Sequence, residues 1–333
     1  MRALILGSDW LLGHNIALTA IAAGWSIRVL TPSEDDHLVG NGIEGESVEY
    51  LSGDPNQDKA LSDAMRGCDI VFLARNYLPP NGLHHHRREQ EAREFIDHFL
   101  QAVKVSKPGG IVYTSSVATI GASDSPTRLP DEWNPYRLGR ILHPYWDTQL
   151  IQEEALLAFH RTTGLPTYVL NVAKMLGPHD RDLSNSRDLV RIARRGTRQY
   201  VPGRISIADA RDVAAAHLVA PERARSGERY ILAGHNVTRQ VFVSALARGS
   251  KRPAPDKIID PKRSYRLTRL SQRLSCLGRP NRPFPAMLDL EIARRCTWYD
   301  SGKARDELRY RNRPLKTTVR DTVAWLRQSG VLR

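Results

Sequence analysis

Cysteines and aromatic residues are scarce in this chain, and long apolar runs are missing. Three of its 333 residues are cysteines and 7% are aromatic. Cys68, Cys276 and Cys296 are odd in number and widely spaced. This spacing excludes a disulfide framework and a Cys-x-x-Cys metal site, and it indicates reduced thiols in a cytoplasmic protein. No apolar run approaches the roughly 20 residues of a membrane span, so we expect no transmembrane segment.

The rest of the composition is typical of a globular protein with a sizeable core. Hydrophobic residues make up 41% of the chain and charged residues 26%. The chain contains no internal repeat and no low-complexity tract. Met1 and Arg2 lead into a short apolar run that ends at Gly7, which indicates a strand rather than a signal peptide.

Positive charge is concentrated near the C-terminus. Residues 1–250 contain 28 lysines and arginines and 28 acidic residues. Residues 251–333 contain 21 lysines and arginines but only 8 acidic residues. The whole net charge of +13 therefore lies in the last quarter. This asymmetry suggests an anionic substrate, an acidic carrier protein or an anionic surface, and the alternative is a solvated basic face. Nucleic acid is the weakest candidate partner, because the basic region has no groove-reading motif.

The N-terminal half alternates between short apolar runs and helical patterns. Runs bounded by Gly or Pro predict strands, and the alternation predicts an α/β fold with helices on both faces of a parallel sheet. The predicted strands are 2–6, 26–30, 48–51, 69–74, 110–115, 167–171 and 229–232, and the predicted helices are about 11–23, 57–66, 89–105 and 150–162. Residues 1–171 form the predicted core. Residues 172–333 form mainly a smaller lobe over the carboxyl ends of the strands, with some segments returning to the core.

The turn after the first predicted strand has two of the three glycines of a dinucleotide-binding turn. In such a turn the first glycine makes the bend, the second lets a pyrophosphate approach the backbone, and the third lets the helix pack on the strand. Gly7 and Gly13 take the first and third positions, and Trp10 takes the middle one. The indole either occupies the phosphate space or points outward and leaves the helix N-terminus available to an anion.

The end of the second predicted strand lacks the usual reader of the adenosine ribose. An acidic residue there reads a 2′-hydroxyl and an arginine reads a 2′-phosphate, but this chain has Thr31-Pro32-Ser33. Three acidic residues, at 34–36, follow a few positions after the place where the ribose-binding residue usually stands. Two alternatives therefore stay open, a bound NAD(P) or no cofactor.

Two further stretches carry a resemblance to a known family. The stretch Ile111–Gly121, which reads IVYTSSVATIG, and the later Tyr145-x-x-x-Gln149 resemble the extended short-chain dehydrogenase/reductase family, the NAD-dependent epimerase/dehydratase family. In particular they resemble dihydroflavonol reductases and hopanoid-associated sugar epimerases. The likeness continues through residues 207–214, 227–232, 301–308 and 322–326. It implies a Rossmann-type, doubly wound parallel sheet with a small C-terminal substrate-binding lobe.

The resemblance implies a role for each of three residues. Ser116 falls on the hydroxyl that holds the substrate oxygen, and Tyr145 on the tyrosine that transfers a proton. Gln149 falls on the lysine whose charge lowers the pKa of that tyrosine. Because a glutamine amide carries no charge, we expect Tyr145 to stay protonated and to act as an acid rather than as a base. Lys174 is the first candidate for a replacement cation, and His143 is the second.

The resemblance also implies binding residues. The cofactor positions correspond to Gly7, Trp10, Leu11, Gly13, Asp54 and Ala74, and Asp54 matches an aspartate that contacts adenine. The substrate positions correspond to Asn76, Tyr77, Val117 and Asn171. Val172 stands where the family usually has a proline beside the nicotinamide.

Three clusters outside these stretches invite other functions. His84, His85 and His86, followed by His98, invite a metal site, but consecutive side chains point in different directions, so we expect no metal. Residues 262–282 combine a leucine stripe with a basic stripe, which fits an anionic partner or a cap over the substrate cleft. The basic stripe comprises Lys262, Arg266, Arg269 and Arg273. A second basic cluster, which suits a carboxylate or a phosphate, comprises Arg191, Arg194, Arg195 and Arg198.

These observations lead to three hypotheses. In the first, the chain is an atypical enzyme of this fold that has abandoned nicotinamide chemistry, and Ser116 and Tyr145 bind and protonate an oxygen of a small organic metabolite in an elimination, isomerisation or cyclisation. In the second, it is still an NAD(P)-dependent reductase, epimerase or dehydratase in which Lys174 or His143 replaces the lysine. In the third, it is a non-catalytic nucleotide sensor or scaffold that uses its basic C-terminal quarter. A homodimer is compatible with all three.

Overall fold

The structure of the protein is a computed structural model. It describes residues 1–7, 10–31, 43, 45–54, 57–74, 85–123, 125, 127–134, 144–260, 264 and 295–333, and of residues 31, 85, 144 and 145 it describes the backbone alone. The first elements are β1 (Arg2–Leu6), α1 (Leu11–Ala22), β2 (Ser26–Thr31), β3 (Val48–Ser52), α2 (Asp58–Met65), β4 (Ile70–Leu73), α3 (His85–Ser106), β5 (Ile111–Ser116), α4 (Pro144–Thr163) and β6 (Thr167–Val172). The later elements are β7 (Lys174–Leu176), α5 (Arg187–Arg195), β8 (Gln199–Tyr200), β9 (Arg204–Asp209), α6 (Ala210–Arg223), β10 (Arg229–Leu232), β11 (His235–Thr238), α7 (Arg239–Gly249), β12 (Lys257–Ile258), α8 (Gly302–Leu308) and α9 (Leu315–Gln328).

Seven of these strands form one parallel sheet in the order β10-β6-β5-β4-β1-β2-β3. β1 lies between β2 and β4, so the chain winds one way from β1 to β3 and the other way from β4 onward. At such a reversal the carboxyl ends of the strands leave a crevice, which is where ligands bind in open α/β sheets. The predicted Rossmann-type, doubly wound sheet is confirmed.

The central strands consist almost entirely of buried residues, as expected when helices cover both faces of a parallel sheet. Every residue of β4 and of β6 is buried. Helices α1 and α6 contribute to the hydrophobic cluster on one face, and α2, α3 and α4 contribute to the cluster on the other. This packing holds the carboxyl ends of the strands in place at one edge of the sheet.

The residues after β6 form a second, smaller layer and also return to the large sheet. Strands β11, β9 and β7 make a three-stranded sheet, and β12 pairs with β8. Helices α5, α7 and α9 pack with the three-stranded sheet in a separate hydrophobic cluster. β10 completes the large sheet next to β6, with Arg229 opposite Val169. None of the helices in the described ranges has both the length and the apolar character of a membrane span.

A direct contact joins this smaller layer to helix α1. The side-chain amide of Asn15 donates to the Pro178 carbonyl at 3.0 Å. The His14 ring stacks on the His179 ring with centroids 4.4 Å apart, and His179 in turn meets Trp325 of α9 at 5.8 Å. The helix that begins at the glycine turn is therefore held from the C-terminal side of the molecule as well as by the sheet.

Candidate active site

The predicted site residues lie at the carboxyl edge of the large sheet. Gly7 follows β1, Asp54 follows β3, and Ala74 follows β4 directly. Ser116 ends β5 and stands opposite Val172 at the end of β6. Because these strands are parallel, their ends share one edge of the sheet, and the fold brings the two halves of the predicted site to the same crevice.

The turn after β1 leads from Gly7 into the N-terminus of α1. Gly7 has φ +90°, a left-handed conformation that favours glycine, and the Trp10 amide donates to the Gly7 carbonyl at 3.1 Å. Helix α1 begins at Leu11, Gly13 is buried within its first turn, and that turn contains no acidic residue. The positive end of the helix dipole is therefore not neutralised by a side chain of the first turn.

Trp10 stands at the position that the dinucleotide-binding pattern gives to its second glycine. It occupies the N-cap position with φ −93° and ψ 156°, an extended conformation that any residue adopts, and its side chain makes no capping hydrogen bond. The backbone at this position therefore does not need a glycine for conformational reasons. A glycine here serves close approach of a ligand, and the indole adds bulk at the residue where a pyrophosphate would need bare backbone.

Other cofactor and substrate positions are only partly described. The Ala74 amide donates to the Leu6 carbonyl at 3.0 Å, which joins the end of β4 to the end of β1. Asp54 is half-buried two residues after β3. Asn76, Tyr77, His143 and the acidic residues 34–36 lie outside the described residues, as does the basic stripe of residues 262–282.

Ser116 lies where β5 passes into a short 3-10 turn over Val117–Thr119. Its hydroxyl oxygen accepts a hydrogen bond from the Ala118 amide at 3.2 Å, and its carbonyl accepts one from the Thr119 hydroxyl at 2.9 Å. The Ser116 side chain is only partly buried. Because its oxygen acts as an acceptor in the turn, its hydroxyl proton can be donated to an oxygen of a substrate.

Tyr145 and Gln149 lie in the first turns of α4. Tyr145 is the second residue of this helix, and its side chain is outside the described part of the structure. Gln149, one turn later, is 0% exposed, and its side-chain carbonyl accepts a hydrogen bond from the buried Tyr113 hydroxyl of β5 at 3.1 Å. The position that the family resemblance gives to a lysine is thus occupied by a neutral side chain that is hydrogen-bonded to the neighbouring strand.

The proposed replacement cation is engaged elsewhere in this structure. The Lys174 ammonium group, at the start of β7, donates to the Asn185 carbonyl at 3.3 Å. Val117, a predicted substrate contact, lies partly buried in the turn after Ser116. Asn171, the other described substrate position, is fully buried, and its side chain turns into a polar cluster beneath that turn.

That polar cluster is centred on Glu153, which sequence reasoning missed. Glu153 is 1% exposed, and its Oε2 accepts hydrogen bonds from Ser115 at 2.5 Å, from Thr119 at 2.8 Å and from Asn171 at 2.9 Å. Its Oε1 lies 3.4 Å from Nη1 of Arg229. The carboxylate therefore ties the end of β5, the following turn, β6 and β10 to α4. The available signal was its spacing, because Glu153 follows Gln149 by four residues and shares its helix face.

A second buried contact anchors β5 from the opposite side. The Thr114 hydroxyl lies 2.9 Å from Nε2 of His217 in α6, and Nδ1 of His217 lies 2.8 Å from the Val213 carbonyl. Nδ1 can only donate to a carbonyl, so Nε2 of the neutral ring accepts from Thr114. Burial lowers the pKa of His217 to about 4, which keeps the ring neutral at physiological pH.

The histidine and arginine clusters are mainly surface features where they are described. His98 pairs with Asp58 at 2.8 Å. Within the described ranges, no group of three or more His, Cys, Asp or Glu side chains could hold a metal ion. In α5, Arg191 lies 3.4 Å from Asp188, and Arg194 donates to the Val331 carbonyl at 2.8 Å.

The chain resembles a known family and known proteins over most of its length. The NAD dependent epimerase/dehydratase family matches residues 3–233, which span the large sheet from β1 to β10. A Synechocystis sp. protein, provisionally named a dihydroflavonol 4-reductase, is 27% identical over 99% of this chain and 95% of its own length. The sterol demethylase protein B of Methylococcus capsulatus is 24% identical over 100% of both chains.

The solved structures include the same fold. A nucleoside-diphosphate-sugar epimerase from Pseudomonas aeruginosa superposes with a TM-score of 0.80 over 100% of this chain and 99% of its own, at 23% identity. The resemblance drawn from the Ser116 and Tyr145 stretches is therefore confirmed at the level of the family. The match over residues 3–233 shows that this chain belongs to the NAD dependent epimerase/dehydratase family.

Proposed function

We propose that this protein is an atypical enzyme of its family that acts on a small organic metabolite by acid-assisted chemistry without hydride transfer. Eliminations, isomerisations and cyclisations are the reactions of this kind. The observation that carries the proposal is the buried Gln149 amide, bonded to Tyr113, at the position that the family resemblance gives to a lysine.

The substitution changes what Tyr145 can do. A cation about 4 Å from a phenol favours the phenolate by up to roughly 4 kcal/mol at an effective dielectric near 20. A glutamine amide supplies no such field, so Tyr145 stays protonated at neutral pH. The residue then suits proton donation to a substrate oxygen and does not suit removal of a proton from an alcohol.

Ser116 and Tyr145 have different roles toward that substrate oxygen. Ser116 holds it by donating its hydroxyl hydrogen, because the Ser116 oxygen already accepts from the Ala118 amide. Tyr145 transfers its proton: its O–H bond breaks as an O–H bond forms on the substrate, and solvent water reprotonates the tyrosine. Protonation makes the substrate oxygen a better leaving group or makes the attached carbon more electrophilic.

A protonated Tyr145 would also serve a reductase, which needs a proton donor. The feature that distinguishes this proposal from a reductase is therefore Trp10. The indole adds bulk at the residue where a dinucleotide needs bare backbone, although the extended Trp10 conformation itself is unstrained. In this proposal a dinucleotide does not bind to the turn in the usual way, and we derive no step through one. We infer that Trp10 closes the ancestral cofactor position.

A second candidate function is an NAD(P)-dependent reductase, epimerase or dehydratase. It is favoured by the positive φ of Gly7, by the first turn of α1 without acidic residues, and by family membership. Gly7, Leu11 and Asp54 would hold the nucleotide, which would supply hydride chemistry. Lys174 would then have to leave the Asn185 carbonyl to act near Tyr145.

Calorimetric titration with NAD⁺, NADH, NADP⁺ and NADPH tests the proposal. We expect no binding to the parent protein, and we expect Trp10→Gly to gain binding because the pyrophosphate then reaches the backbone. Trp133→Gly is the matched control, since Trp133 is 82% exposed and lies outside the glycine turn. Micromolar binding of any of these cofactors to the parent protein would refute the proposal and establish the second candidate.

A further inference from the structure

The ends of three helices meet on one side of the smaller layer. Helices α5, α7 and α9 share one hydrophobic cluster. Arg252, which follows α7, donates to the Ala193 carbonyl of α5 at 2.9 Å and to the Arg194 carbonyl at 3.1 Å. Arg194 in turn donates to the carbonyl of Val331, which follows α9, at 2.8 Å. The C-terminal ends of the three helices therefore belong to one continuous surface.

That surface is strongly basic. Residues 191–199, 248–258 and 325–333, which we call the basic surface, contain ten lysines and arginines and one acidic residue, Asp256. The side chains of all ten cations are exposed. Residues 191–199 lie outside the basic C-terminal quarter of the chain, so only the tertiary structure brings the two sources of charge together. The result is a dense array of positive charge that attracts anions.

The contacts of the fold account for only part of this charge. Arg194 and Arg252 donate to carbonyls at the end of a helix, where a cation stabilises the helix dipole. Arg195, Arg198 and Lys257 differ from them, because their side chains make no ion pair and no hydrogen bond with any residue that the structure describes. Cations that crowd together without counter-charges repel one another, and a bound anion relieves that repulsion.

An apolar side chain stands among these cations. Ile258 is 64% exposed and directly follows Lys257, whose backbone amide donates to the Arg198 carbonyl at 3.0 Å. An exposed aliphatic side chain gains nothing from a free anion. Cations beside an exposed apolar group fit the boundary of a bilayer with anionic lipids, because guanidinium groups bind phosphates while the apolar side chain enters the acyl region.

We propose that the basic surface docks this protein on a bilayer that contains anionic phospholipids. Arg195, Arg198 and Lys257 contact lipid phosphates, and Ile258 enters the boundary between head groups and acyl chains. This docking determines where the protein acts. It is independent of the reaction that takes place in the crevice of the large sheet, so either proposal can fail without the other.

Co-sedimentation of the full chain with lipid vesicles tests the proposal. We expect binding to vesicles of equal parts phosphatidylglycerol and phosphatidylcholine, and no binding to vesicles of phosphatidylcholine alone. Binding should weaken as salt is raised, because the distance over which charges interact shrinks from about 10 Å at 0.1 M to about 3 Å at 1 M ionic strength.

The charge contribution is measured with the triple variant Arg195→Gln, Arg198→Gln, Lys257→Gln. Each cation near an anionic membrane surface contributes roughly a fivefold change in partitioning, so the three changes should lower it by roughly a hundredfold. The matched control removes three exposed cations from α2 and α3, in Lys59→Gln, Arg93→Gln, Lys104→Gln. We expect the control to partition like the parent protein, although it has the same net charge as the test variant.

The apolar contribution is measured with Ile258→Ser. Withdrawing an aliphatic side chain from the acyl boundary should lower partitioning by about tenfold. Val105→Ser is the matched control, since Val105 of α3 is 66% exposed and lies outside the basic surface. We expect this control to leave partitioning unchanged.

Three outcomes would overturn the proposal. The first is a parent protein that does not sediment with the anionic vesicles at low salt. The second is equal loss in the two triple variants, which would show that net charge matters and the basic surface does not. The third is an Ile258→Ser variant that binds as tightly as the parent protein, which would indicate an acidic protein as the partner instead of a bilayer.

Discussion

The Tyr113 hydroxyl of β5 donates a hydrogen bond to the side-chain carbonyl of Gln149 in α4 across 3.1 Å, and both side chains are fully shielded from solvent. This contact links the strand that ends at Ser116 with the helix that contains Tyr145. It also accounts for how a glutamine can occupy an interior position at which the family resemblance places a lysine. The pair is neutral, and the hydrogen bond satisfies the Gln149 oxygen in its buried position.

Tyr113→Phe is expected to destabilise the protein by about 1–3 kcal/mol, because the Gln149 oxygen would lose its donor in a buried environment. Adding Gln149→Leu should cost less than the sum of the single changes, since the unsatisfied oxygen is then gone. Urea denaturation measures both effects. Tyr168→Phe is the control, because the Tyr168 hydroxyl makes only a 3.4 Å contact with the Pro221 carbonyl. If the two phenylalanine variants lose equal amounts of free energy of unfolding, the hydrogen bond from Tyr113 to Gln149 does not make the expected contribution.

Glu153→Gln is expected to lower the free energy of unfolding by about 2–4 kcal/mol. The amide keeps the shape of the side chain but reduces its capacity to accept the hydrogen bonds of Ser115, Thr119 and Asn171, and it leaves Arg229 without this buried carboxylate partner. The neighbouring Glu154 is exposed, so Glu154→Gln should change stability by less than about 0.5 kcal/mol. Chemical denaturation of the two variants side by side provides the comparison.

The stability of the protein is expected to fall as the pH falls from about 6.5 to 4. The folded protein keeps His217 neutral because burial lowers its pKa to about 4, whereas an unfolded histidine takes up a proton near pH 6.5. The unfolded state therefore binds more protons in this window, and the loss from this residue approaches about 3 kcal/mol at pH 4. Burial also lowers the pKa of His179, so this residue too lowers the free energy of unfolding as the pH falls.

His217→Asn should remove most of that pH dependence, although it lowers stability at pH 7 by disturbing the bonds to Thr114 and Val213. Urea denaturation at pH 7, 6 and 5 gives the slope for each protein. His86→Asn, at an exposed histidine, should leave the slope of the parent protein intact. A His217→Asn slope equal to that of the parent protein would show that His217 is not the source.

Cys68 is expected to resist alkylation in the folded protein. Burial raises the pKa of its thiol, and nearby Arg28 only partly offsets that effect. Because the thiolate is the reactive form, iodoacetamide at pH 8 should leave Cys68 unmodified and should modify it fully in guanidinium chloride. Peptide mass spectrometry measures the modification at this residue. Rapid modification without denaturant would show that Cys68 is accessible.

Most strand positions and the fold class could be predicted from local patterns. The predicted strands 2–6 and 229–232 coincide with β1 and β10, and the other predicted strands of the large sheet differ from the observed ones by one residue at one end or at both ends. Helix starts were less accurate. The helix predicted from residue 89 begins at His85, because its start lacks the Ser, Thr, Asp or Asn that usually marks an N-cap. The stretch 150–162, which was predicted to lie in a helix, is part of α4.

In the candidate site, residue identities could be predicted from the sequence, but contacts between residues could not. The residue types at positions 10, 116, 145 and 149 are read directly from the chain, and so is the absence of a charge at Gln149. The contacts of those residues cannot be read from the chain. The spacing of Glu153 places it on the helix face of Gln149 but does not reveal its contacts, since a glutamate in a helix is normally exposed. Its four partners come from β5, the turn after it, β6 and β10.

The sequence by itself determined the alternation of strands and helices, the family, and the neutral residue four positions after Tyr145. These depend on periodicity and on residue identity, which are local. Only the tertiary structure decided that Tyr113 orients Gln149 and that Arg229 reaches Glu153. Those pairs are separated by 36 and 76 residues along the chain. Whether such residues meet depends on strand order and on how each helix packs on the sheet, and no short stretch of sequence encodes either.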